Sequence, residues 1–163
     1  IAAAVSREVP LVCGVSGLSD TQMNALARAA ATIPVVYDRN MSLGVAVLET
    51  LVRQAARALP GFAVEVHEKH HVHKIDAPSG TALKLGEAVA EARGTDPAAI
   101  HYESVRRGEV PGELEVFLSS ATETLSLAHS VTTRQVFAVG AVAAARWVSN
   151  KSSGLFTMHD VLE

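Results

Sequence analysis

Hydrophobic and polar positions change period along the chain, and each change marks an element. Residues 2–7 read as the tail of a helix, and Val9 to Cys13 as a strand running into Gly14-Val15-Ser16-Gly17. Ser19 followed by Gln22 is a capping box that opens a helix over about 20–31. Pro34-Val35-Val36-Tyr37 is a short buried strand that stops at Asp38-Arg39-Asn40. Ser42-Leu43-Gly44 reads as a hinge, after which Leu43, Val47, Leu48, Leu51, Ala55 and Leu59 share one face of a long helix. Phe62, Val64 and Val66 then alternate with Ala63, Glu65 and His67, the period of a half-buried strand. Ala82, Leu85, Gly86 and Val89 restore the helical period until about Ala92, and Gly94-Thr95-Asp96-Pro97 breaks it.

The stretch from Ile100 to Val131 alternates three times. Ile100/Tyr102/Ser104, Leu114/Val116/Leu118 and Leu125/Leu127/His129 are separated by turns at Gly108–Gly112 and Ser119–Thr122, which predicts an antiparallel sheet. Thr132 with Gln135 is a second capping box. The helix it opens carries Val136, Phe137, Val139, Val142, Ala145, Arg146 and Trp147, apolar nearly all round and so predicted to be buried. The aromatic residues and Met158 of the closing segment read as core. Strand, glycine turn, helix, strand is the order of an open α/β sheet. Ligands of such sheets sit outside the carboxyl ends of the strands, which makes Gly14, Val15 and Ser16, with Asp38, Arg39, Asn40 and Met41, candidate cofactor contacts.

Composition narrows the class of protein. At 163 residues, with 48% hydrophobic and 19% charged positions, the chain can bury a sizeable core. A net charge of −3 gives no electrostatic footprint for nucleic acid. No apolar run is long enough for a membrane span, and Ile1-Ala2-Ala3-Ala4-Val5 lacks the basic region of a signal peptide. The single cysteine, Cys13, forms no internal disulfide, fits a reducing cytoplasm and reads as a buried thiol.

Chemistry concentrates in Glu68-Lys69-His70-His71-Val72-His73-Lys74-Ile75-Asp76-Ala77-Pro78-Ser79-Gly80-Thr81-Ala82. It reads as a strand-to-helix loop that ends at a helix start, with Ser79 as cap. The helix start offers backbone N–H groups and a positive dipole end, a seat for a carboxylate. Gly80 lets a ligand approach the backbone, and the hydroxyls of Ser79 and Thr81 add donors. Histidine is the residue type suited to proton exchange near neutrality, which makes His70 and His71 candidates for that role. Lys74 can hold a carboxylate or serve as a general acid, and Asp76 can orient it or stabilise the turn. The residues therefore point to a small-molecule site that binds an anion and delivers a proton. His67-Glu68-Lys69-His70-His71 also fits the His-Glu-x-x-His zinc pattern, but that pattern needs a helix. On a strand, positions 67 and 71 would lie roughly 13 Å apart at about 3.3 Å per residue, so no metal is expected.

The pattern Glu68-x-His70-His71-x-x-Lys74-x-Asp76-Ala77-Pro78-Ser79-Gly80-Thr81-Ala82 resembles the signature of the 4-hydroxy-tetrahydrodipicolinate reductases, or dihydrodipicolinate reductases. Arg106-x-Gly108-Glu109-Val110-x-Gly112-Glu113, Phe137-x-x-Gly140-Ala141 and Gly154-Leu155-Phe156-x-Met158 are similar to the same family. The chain differs from it at Val15 and Ser16, where the family commonly has Thr-Thr, and at Met41 and Leu114, where it commonly has Phe and His. The resemblance implies an oxidoreductase of lysine biosynthesis by the diaminopimelate route, using NADH or NADPH on a cyclic dicarboxylate, cytoplasmic and homotetrameric. It implies that His70 is the catalytic acid/base and Lys74 the proton donor, and that His71, Ser79, Gly80 and Thr81 hold the substrate carboxylates.

It also implies three parts: 1–41 as the end of a Rossmann-type dinucleotide-binding domain, 42–135 as an α+β substrate-binding and oligomerisation domain on a mixed or antiparallel sheet, and 136–163 as a return to the nucleotide domain. No Gly-x-Gly-x-x-Gly occurs, so the resemblance begins partway into the nucleotide domain and a fragment is expected. A non-catalytic dicarboxylate-binding or assembly module is the other reading. Arg106, Arg107 and Glu109 read as a solvated hairpin.

Overall fold

A computed structural model describes residues 1–163, which divide into two units. The first comprises Ile1–Ala46 with Gln135–Glu163, and the second Val47–Arg134.

In the first unit, β1 (Leu11–Cys13), β2 (Pro34–Tyr37) and β7 (Gly154–Phe156) form a parallel sheet in the order β1-β2-β7. Alternation in β2 assigns its two faces. Val35 packs with Leu26, Ala29 and Ala30 of α2 (Asp20–Ala30), while Val36 packs with Ala144 and Val148 of α5 (Gln135–Val148). Helices therefore cover both faces, as a parallel sheet requires. The α2 capping box forms as the sequence predicts, with Ser19 Oγ accepting from Gln22 N–H and Gln22 Oε1 accepting from Ser19 N–H. The closing segment places Met158 in the core beside α5, with Trp147 and Phe156 packed partly buried around it.

Three expectations change here. Helix α5 begins at Gln135, so Thr132 lies ahead of the first helical turn and not at its cap. Its face bearing Val139 and Val142 is exposed (62% and 50%), because only Gly140, Ala144 and Val148 are buried. Cys13 is half-buried, packed partly beneath α2.

Ser42 is no hinge. Its Oγ accepts from Val45 N–H at 3.3 Å, capping α3 (Leu43–Ala58), and the unit boundary falls inside that helix.

The second unit is built on a four-stranded sheet in the order β4-β3-β5-β6. Its strands are β3 (Ala63–His70), β4 (His101–Arg106), β5 (Glu113–Ser119) and β6 (Thr124–Ser130). The sequence suggests an antiparallel sheet, and the β3–β5 and β5–β6 pairs are antiparallel. β3 and β4 are parallel, joined by α4 (Gly80–Arg93), so the sheet as a whole is mixed, within the mixed or antiparallel expectation for this domain. A parallel pair needs such a crossover. Alternation records which face a residue takes, not which way its strand runs.

Val66, Leu85, Val89, Val116 and Leu118 are buried in this unit, each contributing about 1.5–3 kcal/mol. Gly86 allows α4 to lie close to β4, since a Cβ there would be 1.8 Å from the Tyr102 hydroxyl. Arg93 donates to the carbonyls of Ala56, Leu59 and Phe62, tying together the end of α3 and the turn after it, and Gly94 ends α4 in the left-handed conformation at φ 66°.

Candidate functional site

The chemistry-bearing stretch is part strand and part loop. Strand β3 continues to His70, so Glu68, Lys69 and His70 stand on a sheet and not in the loop that the sequence suggests. The helix needed by the zinc pattern does not form at 67–71. The period of Val64, Val66, Glu68 and His70 carries the last two onto the face covered by α4, as do Tyr102, Ser104 and Arg106 across the β3–β4 register.

Glu68 is the junction of the site, and its side chain is fully buried (0%). Oε1 accepts from Arg106 Nη2 at 2.7 Å and from Ser79 N–H at 3.2 Å; Oε2 accepts from Arg106 Nη1 at 2.9 Å and from His70 Nδ1. Burial alone would raise its pKa. Hydrogen bonds from Arg106, Ser104 and His70 outweigh that and hold the carboxyl below its ordinary range. Arg106 reaches further, donating from Nε to Lys74 O at 3.3 Å and from Nη2 to Asp76 O at 2.5 Å. One guanidinium thus joins strand β4, strand β3 and the loop. The expectation of a solvated hairpin is wrong for Arg106, whose side chain is only 19% exposed; Arg107 and Glu109 are exposed.

His70 is mostly buried, and burial, with Lys74 and Arg106 nearby, lowers its pKa despite the opposing pull of Glu68. A Cβ on Gly112 would stand 3.2 Å from His70 Nε2, so the glycine leaves that nitrogen room. Lys74 Nζ lies 2.6 Å from Asp76 Oδ1, and Asp76 Oδ2 accepts from Gly80 N–H at 3.3 Å. The Lys74 hydrogen bond holds the Asp76 carboxyl below its usual range. Ser79 caps α4, its Oγ accepting from Ala82 N–H at 3.2 Å, and a Cβ on Gly80 would meet nothing within 4 Å.

The structure therefore brings His70, Lys74, Ser79 and Gly80 to one cluster through Glu68, Arg106 and Asp76. His71 is half-buried, accepting from Lys74 N–H through its carbonyl, with its ring 6.1 Å from that of His73; Thr81 is half-buried one residue inside α4. Glu68 and Arg106 stand in the motifs quoted from the sequence, but without an assigned role; their inward positions follow from the β3–β4 register.

Of the candidate cofactor residues, Gly14, Val15 and Ser16 are exposed at the carboxyl end of β1. Asp38 is buried after β2, with its carboxylate accepting from Asn40 N–H at 3.2 Å and Met158 N–H at 3.3 Å. Arg39 and Asn40 are half-buried, and Met41 is in the core, where its Cγ would be 2.8 Å from a Cβ on Gly14. The two loops are thus neighbours on one sheet edge. No helix is long and apolar enough to cross a membrane.

The family model for the dihydrodipicolinate reductase C-terminus matches residues 44–162. The chain belongs to the 4-hydroxy-tetrahydrodipicolinate reductase family. A 4-hydroxy-tetrahydrodipicolinate reductase of Pseudoalteromonas translucida is 42% identical over 178 aligned positions, which cover 98% of this chain and 67% of the relative. One of Stenotrophomonas maltophilia is 45% identical, covering 100% and 66%; one of Caulobacter vibrioides is 45% identical, covering 98% and 70%. The chain spans about two thirds of the length of these curated relatives. The fold is shared with a dipicolinate-bound dihydrodipicolinate reductase from Paenisporosarcina sp. TG-14, at TM-score 0.79 and 24% identity over 94% of this chain and 64% of that one.

Proposed function

We propose that the chain is the substrate-binding part of an enzyme that reduces 4-hydroxy-tetrahydrodipicolinate to tetrahydrodipicolinate with NADH or NADPH, in diaminopimelate and lysine biosynthesis in the cytoplasm. The observation that carries this reading is one cluster holding an imidazole, an ammonium and a helix N-terminus, in a chain of the reductase family. His70 is the acid/base, with Nε2 as its exchanging nitrogen. Lys74 delivers a proton to the ring. His71, Ser79, Gly80 and Thr81 hold the carboxylates at the positive end of the α4 dipole. Net reduction removes the substrate hydroxyl as water and adds one hydride and one proton.

The exposed amides and hydroxyl of Gly14–Ser16, beside Arg39 and Asn40 at the carboxyl edge of a parallel sheet, fit a dinucleotide. A bound nicotinamide supplies the hydride. We assign Gly14, Val15, Ser16, Asp38, Arg39, Asn40 and Met41 to that face, with Asp38 and Met41 shaping the loop from the core side. The sheet face turned away from α4 carries the Lys69–Glu113 pair and the His67–Phe117 ring contact, and offers a surface for the homotetramer that the family resemblance implies.

Calorimetric titration with pyridine-2,6-dicarboxylate, a planar dicarboxylate, tests the reading. Binding to the chain that Lys74→Ala abolishes is the expected result. In the full-length enzyme, Lys74→Ala and His70→Ala should each slow turnover by about 10²-fold or more. Near-normal turnover in both variants refutes the roles. Binding unaffected by Lys74→Ala moves the dicarboxylate to another place.

A further inference from the structure

Among the charged groups near His70, one pair has been assigned no role in the chemistry. Glu68 holds the carboxylate seat at the Ser79 N–H, and Arg106 holds the loop carbonyls of Lys74 and Asp76. An ionised carboxylate only accepts hydrogen bonds. The contact between Glu68 Oε2 and His70 Nδ1 therefore requires the proton on Nδ1. Free imidazole has two neutral tautomers, and a buried carboxylate on one nitrogen selects between them and stabilises the imidazolium when it forms. Glu68 can do this only while it stays ionised and fixed. The two guanidinium donors from Arg106, at 2.7 and 2.9 Å, and the Ser79 N–H at 3.2 Å provide both conditions. The same guanidinium holds the carbonyls of Lys74 and Asp76, so it sets the path of the loop that carries the ammonium group.

We propose that Glu68 and Arg106 are a positioning pair. Glu68 locks neutral His70 as the Nδ1–H tautomer and so presents a bare Nε2 to the substrate, while Arg106 locks Glu68 and the backbone of Lys74 in one geometry. The inference rests on His70 as the acid/base of the reductase reading, but its first test needs no turnover. The groups facing the imidazole are Glu68 from β3, Arg106 from β4 and Lys74 from the loop; Gly112, ahead of β5, lies against Nε2, and the titratable group that β6 carries on this face is His129, across Leu114 from Glu68.

Two-dimensional ¹H–¹⁵N correlation of the histidine rings reads the tautomer directly, with His70 assigned by the signals lost in His70→Asn. Above its titration, wild-type His70 should be protonated at Nδ1 and bare at Nε2. A neutral His70 protonated at Nε2 overturns the proposal, whatever the enzyme does. Glu68→Gln keeps the shape and removes the charge. Provided that circular dichroism shows a folded chain, its tautomer ratio should shift toward Nε2–H. In the full-length enzyme, kcat should fall by at least about tenfold while KM changes less than about threefold. The limb of the pH–rate profile set by His70 should move to lower pH, because the imidazolium loses its carboxylate. Glu68→Asp, which keeps the charge, should recover part of both effects.

If Glu68→Gln does not fold, Arg106→Lys supplies the second variant. It keeps the positive charge but loses the fork, and should lower kcat at a near-native tautomer. A folded Glu68→Gln with unchanged tautomer and pH profile reduces the pair to scaffold and overturns the proposal. A wild-type Nδ1–H tautomer in an enzyme that reduces no dicarboxylate leaves the tautomer lock standing and refutes the reductase reading instead.

Discussion

Removing the Arg106 side chain as Arg106→Ala tests how much of the second unit's stability rests on one guanidinium. Arg106 neutralises a carboxylate with no solvent exposure and makes two charge-assisted bonds to it. It also holds two loop carbonyls. The alanine variant leaves Glu68 with Ser79 N–H, Ser104 and His70 as its remaining hydrogen-bonding partners. Breaking a buried ion pair by deleting one partner costs about 3–5 kcal/mol, mostly through the charge left behind. Against a total stability of about 5–15 kcal/mol that is a large fraction, and it corresponds to a midpoint lower by roughly 6–20 °C for a chain of this size.

Urea unfolding followed by far-UV circular dichroism measures the cost. Trp147, the only tryptophan, lies in the other unit and serves as a second probe. The pH dependence gives a sharper check. The folded-state pKa of Glu68 is depressed, so its contribution to wild-type stability is present above the unfolded carboxylate value and is lost as pH falls through the folded one. In Arg106→Ala the buried charge is a liability at neutral pH, and protonation relieves it. The gap between wild type and variant should therefore be widest near pH 7 and narrow as pH approaches about 4. A loss below about 1 kcal/mol at pH 7, or a gap that stays constant down to pH 4, refutes the reasoning.

Gly140→Ala should destabilise the first unit although alanine is the better helix former. The gain of about 1 kcal/mol in propensity is set against a Cβ placed 1.6 Å from the Met41 carbonyl oxygen, and overpacking of this kind costs about 1–3 kcal/mol or more. Trp147 fluorescence in urea reads the result, and a more stable variant would show that the Met41 loop yields freely. Ser79→Ala should cost about 1 kcal/mol and speed amide hydrogen exchange in the first turn of α4, since the Oγ–Ala82 cap bond is lost; unchanged exchange at Ala82 would remove the cap from the account of the site.

How far the site was readable follows from what a period can encode. Where apolar residues repeat, as in Pro34–Tyr37 or along α4, the element and its buried face were legible, because burial demands the repeat; along α3 the helix was legible but its buried face was not, since Val47 and Leu51 are exposed while Val45, Val52 and Ala56 are buried. Strand direction was not, because β3 and β4 alternate in the same way whether they run parallel or antiparallel. Only the intervening α4 makes the parallel crossover possible, and that feature was visible. The exposed face of α5 was misread for a related reason. Val139 and Val142 are as apolar as core residues, and composition cannot say which apolar face finds a partner.

The site residues missed by sequence reasoning share one property. Glu68 and Arg106 continue the inward periods Val64-Val66 and Tyr102-Ser104, yet an inward charge looks like the end of a strand when apolar residues alone are counted. Desolvating one such charge is costly, and two of opposite sign, brought within hydrogen-bonding distance by the β3–β4 register, can offset each other. Arg106 pairs with His70 in that register, one step beyond the Glu68–Ser104 pair, so its long side chain reaches back diagonally to the carboxylate. The pair is thus a consequence of sheet geometry that no single segment carries. A polar residue on an inward position at a strand's end should be read as a candidate site residue whenever a neighbouring strand can supply the opposite charge. Here that rule selects the one carboxylate that holds the imidazole, the guanidinium and the helix start together.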